Sequence, residues 1–251
     1  MIAALAPLYT GPFASYREVL VTAADPRPSV AATRLLEPEC LEPLLQRFAP
    51  EYAGQDRRAL ASQWSKYYLV KLIPPVVAAA LVLQRQLPLD FDQVQVVLNA
   101  QGLPEAFKLT GEGEVFAQAP QDPFERFGHL LDGHLQAFVQ RLASQVKLSP
   151  KVLWSNAGNY FEWFLGEMAQ VPIPAQVLAH GQALLAAERR PDGSRNPLFA
   201  PIRYLEVPCE VRAEGRWRQR RVCCVRYRLE ALPHCENCPL LDRPPPHSLV
   251  S

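Results

Sequence analysis

Through the first two hundred positions apolar residues recur mostly at helical spacing, and strand spacing appears in one stretch only. From Pro43 to Gln86 the pattern predicts helices. Within "DRRALASQWSKYYLVKL", Leu60, Trp64, Tyr67 and then Val70 or Lys71 fall three or four apart, an aromatic stripe that reads as core. The run "LIPPVVAAALVL", Leu72 to Leu83, reads as a buried helix opened by its prolines. It is too short to cross a bilayer and is flanked by Lys71 and Arg85. "FDQVQVVLNAQGLPEAFKLTGEGEVF" alternates apolar and polar residues, which predicts a strand pair between Val94 and Phe116 with "TGEGE" as its turn. Gly111 and Gly113 are only a fragment of a dinucleotide fingerprint, lacking a third glycine and a following helix.

Three further helical segments follow. "DPFERFGHLLDGHLQAFVQRLASQ" is amphipathic, with Asp122 as its cap and Pro123 in its first position. Its two histidines, His129 and His134, are five apart, off the same-face spacing that helical metal ligands use. "SPKVLWSNAGNYFEWFLGEMAQ" starts the same way at Ser149 and Pro150, and "IPAQVLAHGQALLAAERR" is the last, stopped by the turn-forming "PDGSRNP". The character then changes. "IRYLEVPCEVRAEGRWRQRRVCCVRYRL" is rich in Val, Tyr and Arg and predicts antiparallel strands at 203–212 and 216–222, joined at "AEG". Beyond Cys238 the chain is proline-rich and reads as an irregular tail.

The 251 residues are 49% hydrophobic, enough for a sizeable core without crosslinks. A formal net charge of +1 excludes any global attraction to nucleic acid or an acidic membrane. The N-terminal residues lack the basic start of a signal peptide and meet Pro7 early, so the expected compartment is reducing. There, clustered cysteines hold metal or carry redox chemistry more often than they form structural disulfides.

Four of the six cysteines lie in "RRVCCVRYRLEALPHCENCPL". Cys235 and Cys238 have the spacing with which one tight turn grips a tetrahedral metal ion. With Cys223 and Cys224 they make four thiolates, the number that satisfies one zinc ion or one [2Fe-2S] cluster. A regular strand through Val222 would send Cys223 and Cys224 to opposite faces, so the hairpin is expected to break at the pair. Zinc stapling, an iron-sulfur cluster and a strained vicinal disulfide all stay open on spacing alone. Cys40 and Cys209 stand apart and read as small buried hydrophobes.

A terminal Cys-Cys, the ten residues Val225 to His234, and a Cys-x-x-Cys resemble the signature of FhuF-type ferric siderophore reductases. The flanking Arg220-Arg221 and Tyr227-Arg228-Leu229 fit the same surroundings, and "LWSNAGNYFEWF" is similar to a Trp-x-Asn segment in the helical body of that family. The resemblance implies an α+β protein, with a mainly helical siderophore-binding-type body at 1–200 carrying a few antiparallel strands. A small C-terminal iron-sulfur hairpin module at 201–240 and a proline-rich tail at 241–251 complete it. It implies that Cys223, Cys224, Cys235 and Cys238 ligate a [2Fe-2S] cluster, and that the substrate is a ferric hydroxamate-type siderophore. It also implies an electron donor such as a ferredoxin or flavin reductase, and a cytoplasmic location that allows peripheral attachment to the inner membrane face. No nucleic acid partner and no transmembrane segment are expected.

The implied chemistry needs neither a nucleophile nor a hydride site. A siderophore holds the hard iron(III) ion in hard oxygen donors, and reduction to iron(II) weakens that hold. A four-thiolate cluster carries a net charge of about −2 oxidised and about −3 reduced. Arg216, Arg218, Arg220, Arg221, Arg226 and Arg228 would then favour the reduced state, or dock an acidic donor protein.

Overall fold

In a computed structural model, which describes residues 1–230 and 232–245, the chain forms seven α-helices and eight strands among those residues. The helices are α1 (Ala32–Leu35), α2 (Pro38–Phe48), α3 (Arg57–Val82), α4 (Pro123–Gly128), α5 (Gln136–Val146), α6 (Pro150–Met168) and α7 (Ala179–Ala186). The strands are β1 (Leu20–Thr22), β2 (Val30–Ala31), β3 (Arg85–Gln86), β4 (Gln95–Leu98), β5 (Pro104–Leu109), β6 (Glu114–Val115), β7 (Ile202–Glu206) and β8 (Arg216–Arg220). The architecture is α+β and mainly helical, as expected. One sheet has the order β1-β5-β4-β2, with β1 parallel to β5 and the other pairs antiparallel; β3 pairs with β6, and β7 with β8.

Helix α3 runs unbroken through Pro74 and Pro75, where the sequence suggested a helix that opens at the prolines. Their missing N–H groups leave the Val70 and Lys71 carbonyls without intrahelical donors, a cost met by burial of the helix on nearly all sides. Its length and apolar composition would suffice to cross a membrane, yet 72% of its most apolar window is buried against the rest of the chain. That burial also rotates the expected stripe. Trp64 and Tyr68 are fully buried, whereas Tyr67 is 46% exposed. Tyr68 stacks on Phe138 of α5 at 4.3 Å and meets Phe107 of β5 edge-on at 4.9 Å, joining helices and sheet in one core.

The strand pair between Val94 and Phe116 exists as β4 and β5, but its turn lies at Asn99–Gly102 and not at "TGEGE". Asn99 Oδ1 accepts from the amides of Gln101 and Leu103, and Gly102 takes φ +75°, so the asparagine organises the reversal. "TGEGE" leads instead into β6. Gly113 there has φ +73°, and a Cβ would fall 2.2 Å from the Gln86 carbonyl of β3.

Asp122 caps α4 as expected, accepting from the amides of Phe124 and Glu125. Ser149 precedes α6 without a side-chain capping bond, so Pro150 marks that start alone. The histidine pair is separated by its setting. His134, in the π-helical stretch His129–Leu135 between α4 and α5, is fully buried. Its Nδ1–H donates to the Leu89 carbonyl at 2.9 Å, and Nε2 accepts from the Tyr68 hydroxyl at 2.8 Å. Burial lowers its pKa from 6.5 to about 4, with the Leu89 bond opposing in part. The neutral ring is therefore favoured in the fold, and its stabilisation is complete above pH ~6.5 and lost as pH falls toward 4. Urea unfolding at pH 5 should show about 2 kcal/mol less stability than at pH 7 from this group. A His134→Gln protein should lose that increment of pH dependence; an unchanged slope would remove His134 as its source.

β7 is shorter than its expected span and connects to β8 through a longer loop in which the Val207 amide donates to the Gly215 carbonyl. Cys209 in that loop is exposed and Cys40 on α2 is half-buried, so neither is the buried hydrophobe the sequence suggested. Residues 241–245 are irregular, and the rest of the expected tail, 246–251, lies outside the described residues.

Candidate metal centre

The expected break at the cysteine pair is present. β8 ends at Arg220, and Val225 takes the left-handed φ of +53°, which turns the chain back after Cys223 and Cys224. The cysteines thereby leave the sheet and meet Cys235 and Cys238. Cys224, Cys235 and Cys238 are buried together, with half-buried Cys223 and Leu241 packed against them. Cys224 Sγ lies 3.8 Å from Cys235 Sγ. The Val225 amide donates to Cys223 Sγ at 3.3 Å, and the Cys238 amide closes the "CENC" turn onto the Cys235 carbonyl at 3.0 Å.

The second pair is held in place by the hairpin's inner face. Gln219 Nε2 donates to the carbonyls of Cys238 and Leu241, the Arg220 amide to the Asn237 carbonyl, and Trp217 Nε1 to the Glu236 carbonyl. The first pair is held by the helical body. Ser62 Oγ and Gln63 Nε2 of α3 donate to the Cys224 carbonyl at 2.8 and 3.3 Å, and Ser155 Oγ of α6 donates to the Val222 carbonyl at 3.3 Å. Lys66, one turn after Ser62, donates from Nζ to Cys224 Sγ at 3.1 Å.

Asn156, the asparagine of the Trp-x-Asn segment, is fully buried and joins these parts. Its Nδ2 donates to the Ser62 carbonyl and to Ser65 Oγ, and its Oδ1 accepts from Arg220 Nη2 at 2.5 Å. Arg220 is 1% exposed and also donates to Ser155 Oγ at 3.0 Å. The other arginines divide by partner. Arg218 pairs with Glu162 and Asn159, Arg228 pairs with Asp56, and Arg216 covers the Tyr204 ring.

The Cys224 and Cys235 thiols are pushed in opposite directions by their contact. The hydrogen bond from Cys235 holds the Cys224 thiol far below its ordinary pKa, helped by the Lys66 and Arg220 cations. The same bond, with burial, pushes Cys235 far up. Burial also raises Cys223. Soft sulfur donors, two cations beside them, a backbone N–H aimed at one sulfur and shielding from solvent suit a thiolate-ligated iron site. Among the described residues no group of three or more His, Cys, Asp and Glu side chains has the spacing of a single metal ion.

Sequence reasoning found the four cysteines and missed Ser62, Gln63, Lys66 and Asn156. A signal was present: Ser62, Gln63, Ser65 and Lys66 put four polar residues into five successive positions of a mostly apolar helix.

A mainly helical α+β body whose polar residues grip a terminal four-cysteine hairpin defines the class. The chain belongs to the FhuF-like ferric iron reductase family: the family described as ferric iron reductase FhuF-like transporter matches residues 62–210, more than half of it. That match begins at Ser62 and ends before the four cysteines. A ferric siderophore reductase of Escherichia coli (strain K12) is 27% identical over 186 residues, which are 74% of this chain and 67% of that protein.

Proposed function

We propose that this protein reduces iron(III) held in a siderophore, of the hydroxamate class, and so releases it as iron(II) in the cytoplasm. The electron would come one at a time from a [2Fe-2S] cluster held by Cys223, Cys224, Cys235 and Cys238. The observation that carries the reading is the meeting of all four cysteines in one buried place beside Lys66 and Arg220, in a chain of this family. When bound, such a cluster supplies a reversible one-electron store.

The chain's own residues have three tasks. Lys66 and Arg220 offset the negative charge that four thiolates bring into a buried site, which favours the reduced state. Ser62, Gln63 and Ser155 fix the backbone of the first cysteine pair, and Gln219 fixes that of the second. Three buried cysteines keep water from most of the sulfur. We assign residues 1–200 to the substrate-holding body and 201–240 to the redox module, and exposed arginines of the module to docking an acidic donor such as a ferredoxin, or a flavin reductase.

Protein purified without oxygen should be reddish brown, hold about two irons and two labile sulfides per chain, and bleach when reduced. Mixing the reduced protein with a ferric trishydroxamate should form one iron(II) per cluster reoxidised. Colourless protein with one zinc after anaerobic reconstitution would sink the proposal, and reoxidation without iron(II) would make it a carrier and not a siderophore reductase.

A further inference from the structure

A cleft of about 530 Å³ opens between the helical body and the cysteine module, and Cys235 forms part of its wall. The volume is that of a small-molecule site, in the usual range of about 300–1,000 Å³. We infer that this cleft is where the ferric chelate binds, seated between the Tyr52, Tyr67 and Tyr160 rings and held by Arg226; the inference rests on the function proposed above.

Four observations carry it. First, electron transfer weakens steeply with distance, and this cleft has a cysteine of the cluster site in its wall. A second cavity of about 720 Å³ is lined by Glu162, Glu167 and Arg216 among others and by no cysteine. Second, Arg226 reaches the cleft with no side-chain partner among the described residues, and its Nε–H is buried without an acceptor. An orphaned donor of this kind costs about 1–3 kcal/mol, which an oxygen atom of a ligand would recover. Arg220 Nε, in the same wall, is orphaned in the same way, although its Nη2 is bonded to Asn156.

Third, Tyr67 is a large aromatic residue 46% exposed on a helix otherwise buried almost all round. Its ring meets Phe48 edge-on at 5.5 Å, giving the cleft an apolar shoulder for the carbon skeleton of a chelator. Fourth, burial pushes the Tyr160 phenol up to about 12, so it remains a neutral hydroxyl able to donate to a chelate oxygen. A neutral donor, an unpartnered guanidinium and aromatic faces match a chelate that shows oxygen atoms around iron and hydrocarbon outside it.

The test uses gallium(III) desferrioxamine B, a trishydroxamate complex that cannot be reduced under these conditions, so binding is read apart from electron transfer. Titrated into the cluster-loaded protein and followed by tyrosine and tryptophan fluorescence, Tyr67→Ala and Arg226→Gln should each raise Kd tenfold or more. Their iron and sulfide contents should equal wild type. Glu167→Gln and Gln170→Ala, in the second cavity, should leave Kd unchanged. If wild-type protein binds this probe and reduces its ferric form while both cleft variants bind within twofold of it, the cleft is overturned and the proposed function stands. Loss confined to the second-cavity variants has the same meaning. A wild-type protein that neither binds the probe nor reduces its ferric form overturns both.

Discussion

Cys224→Ser and Cys235→Ser proteins, purified without oxygen, are expected to hold less than about a tenth of the wild-type iron and sulfide and to reduce no ferric chelate. Serine keeps the shape but replaces a soft thiolate with a hydroxyl that does not ionise near neutral pH. The two positions are the most demanding of the set, because Cys224 is wholly buried and Cys235 lies 3.8 Å from it. Cys209→Ser, on the exposed loop, is the control and should match wild type. Full iron and sulfide in the Cys224 variant, by chemical analysis, would remove that residue from the ligand set.

The second large effect falls on stability. Arg220→Ala should cost about 1–3 kcal/mol in denaturant unfolding, because it strips the buried Asn156 and Ser155 of a charged donor and leaves a void in the wall between body and module. Arg220→Lys keeps the charge but cannot reach both acceptors with one planar fork, so it should recover only part of the loss. In whatever cluster-loaded protein survives, the reduction potential should fall, since a cation beside Cys224 is gone. A full-strength fold with an unchanged potential would mean that the guanidinium is a bystander.

The helical body was legible because its long segments carry strong periodicity and unmistakable starts, as at Asp122-Pro123. Errors arose where a tertiary partner overruled a local rule. Two adjacent prolines argue for a break, yet burial on all sides keeps α3 in one piece. A "TGEGE" stretch is a strong turn signal, but Asn99 had the side chain to make the nearer turn first. Tyr67 and Tyr68 differ by one step around the helix, and no pattern within "WSKYYLV" decides which one faces a core made by distant residues. At the cysteines, alternation alone was enough to foresee that the strand must end, because two neighbours cannot point to one face of a pleated sheet. Their seat was illegible, since Ser62 and Cys224 are 162 positions apart and only the folded chain brings them together.

That separation has a meaning for how the protein is made. Ser62, Gln63 and Lys66 emerge from the ribosome long before Cys224 does, and a chain is synthesised at only about 5–20 residues per second. For something on the order of ten seconds the body can fold while its grip on the module stays empty. The cysteines therefore reach a body whose helices have had time to fold, and the interval in which they lie open to oxygen or to the wrong metal begins only when they themselves emerge.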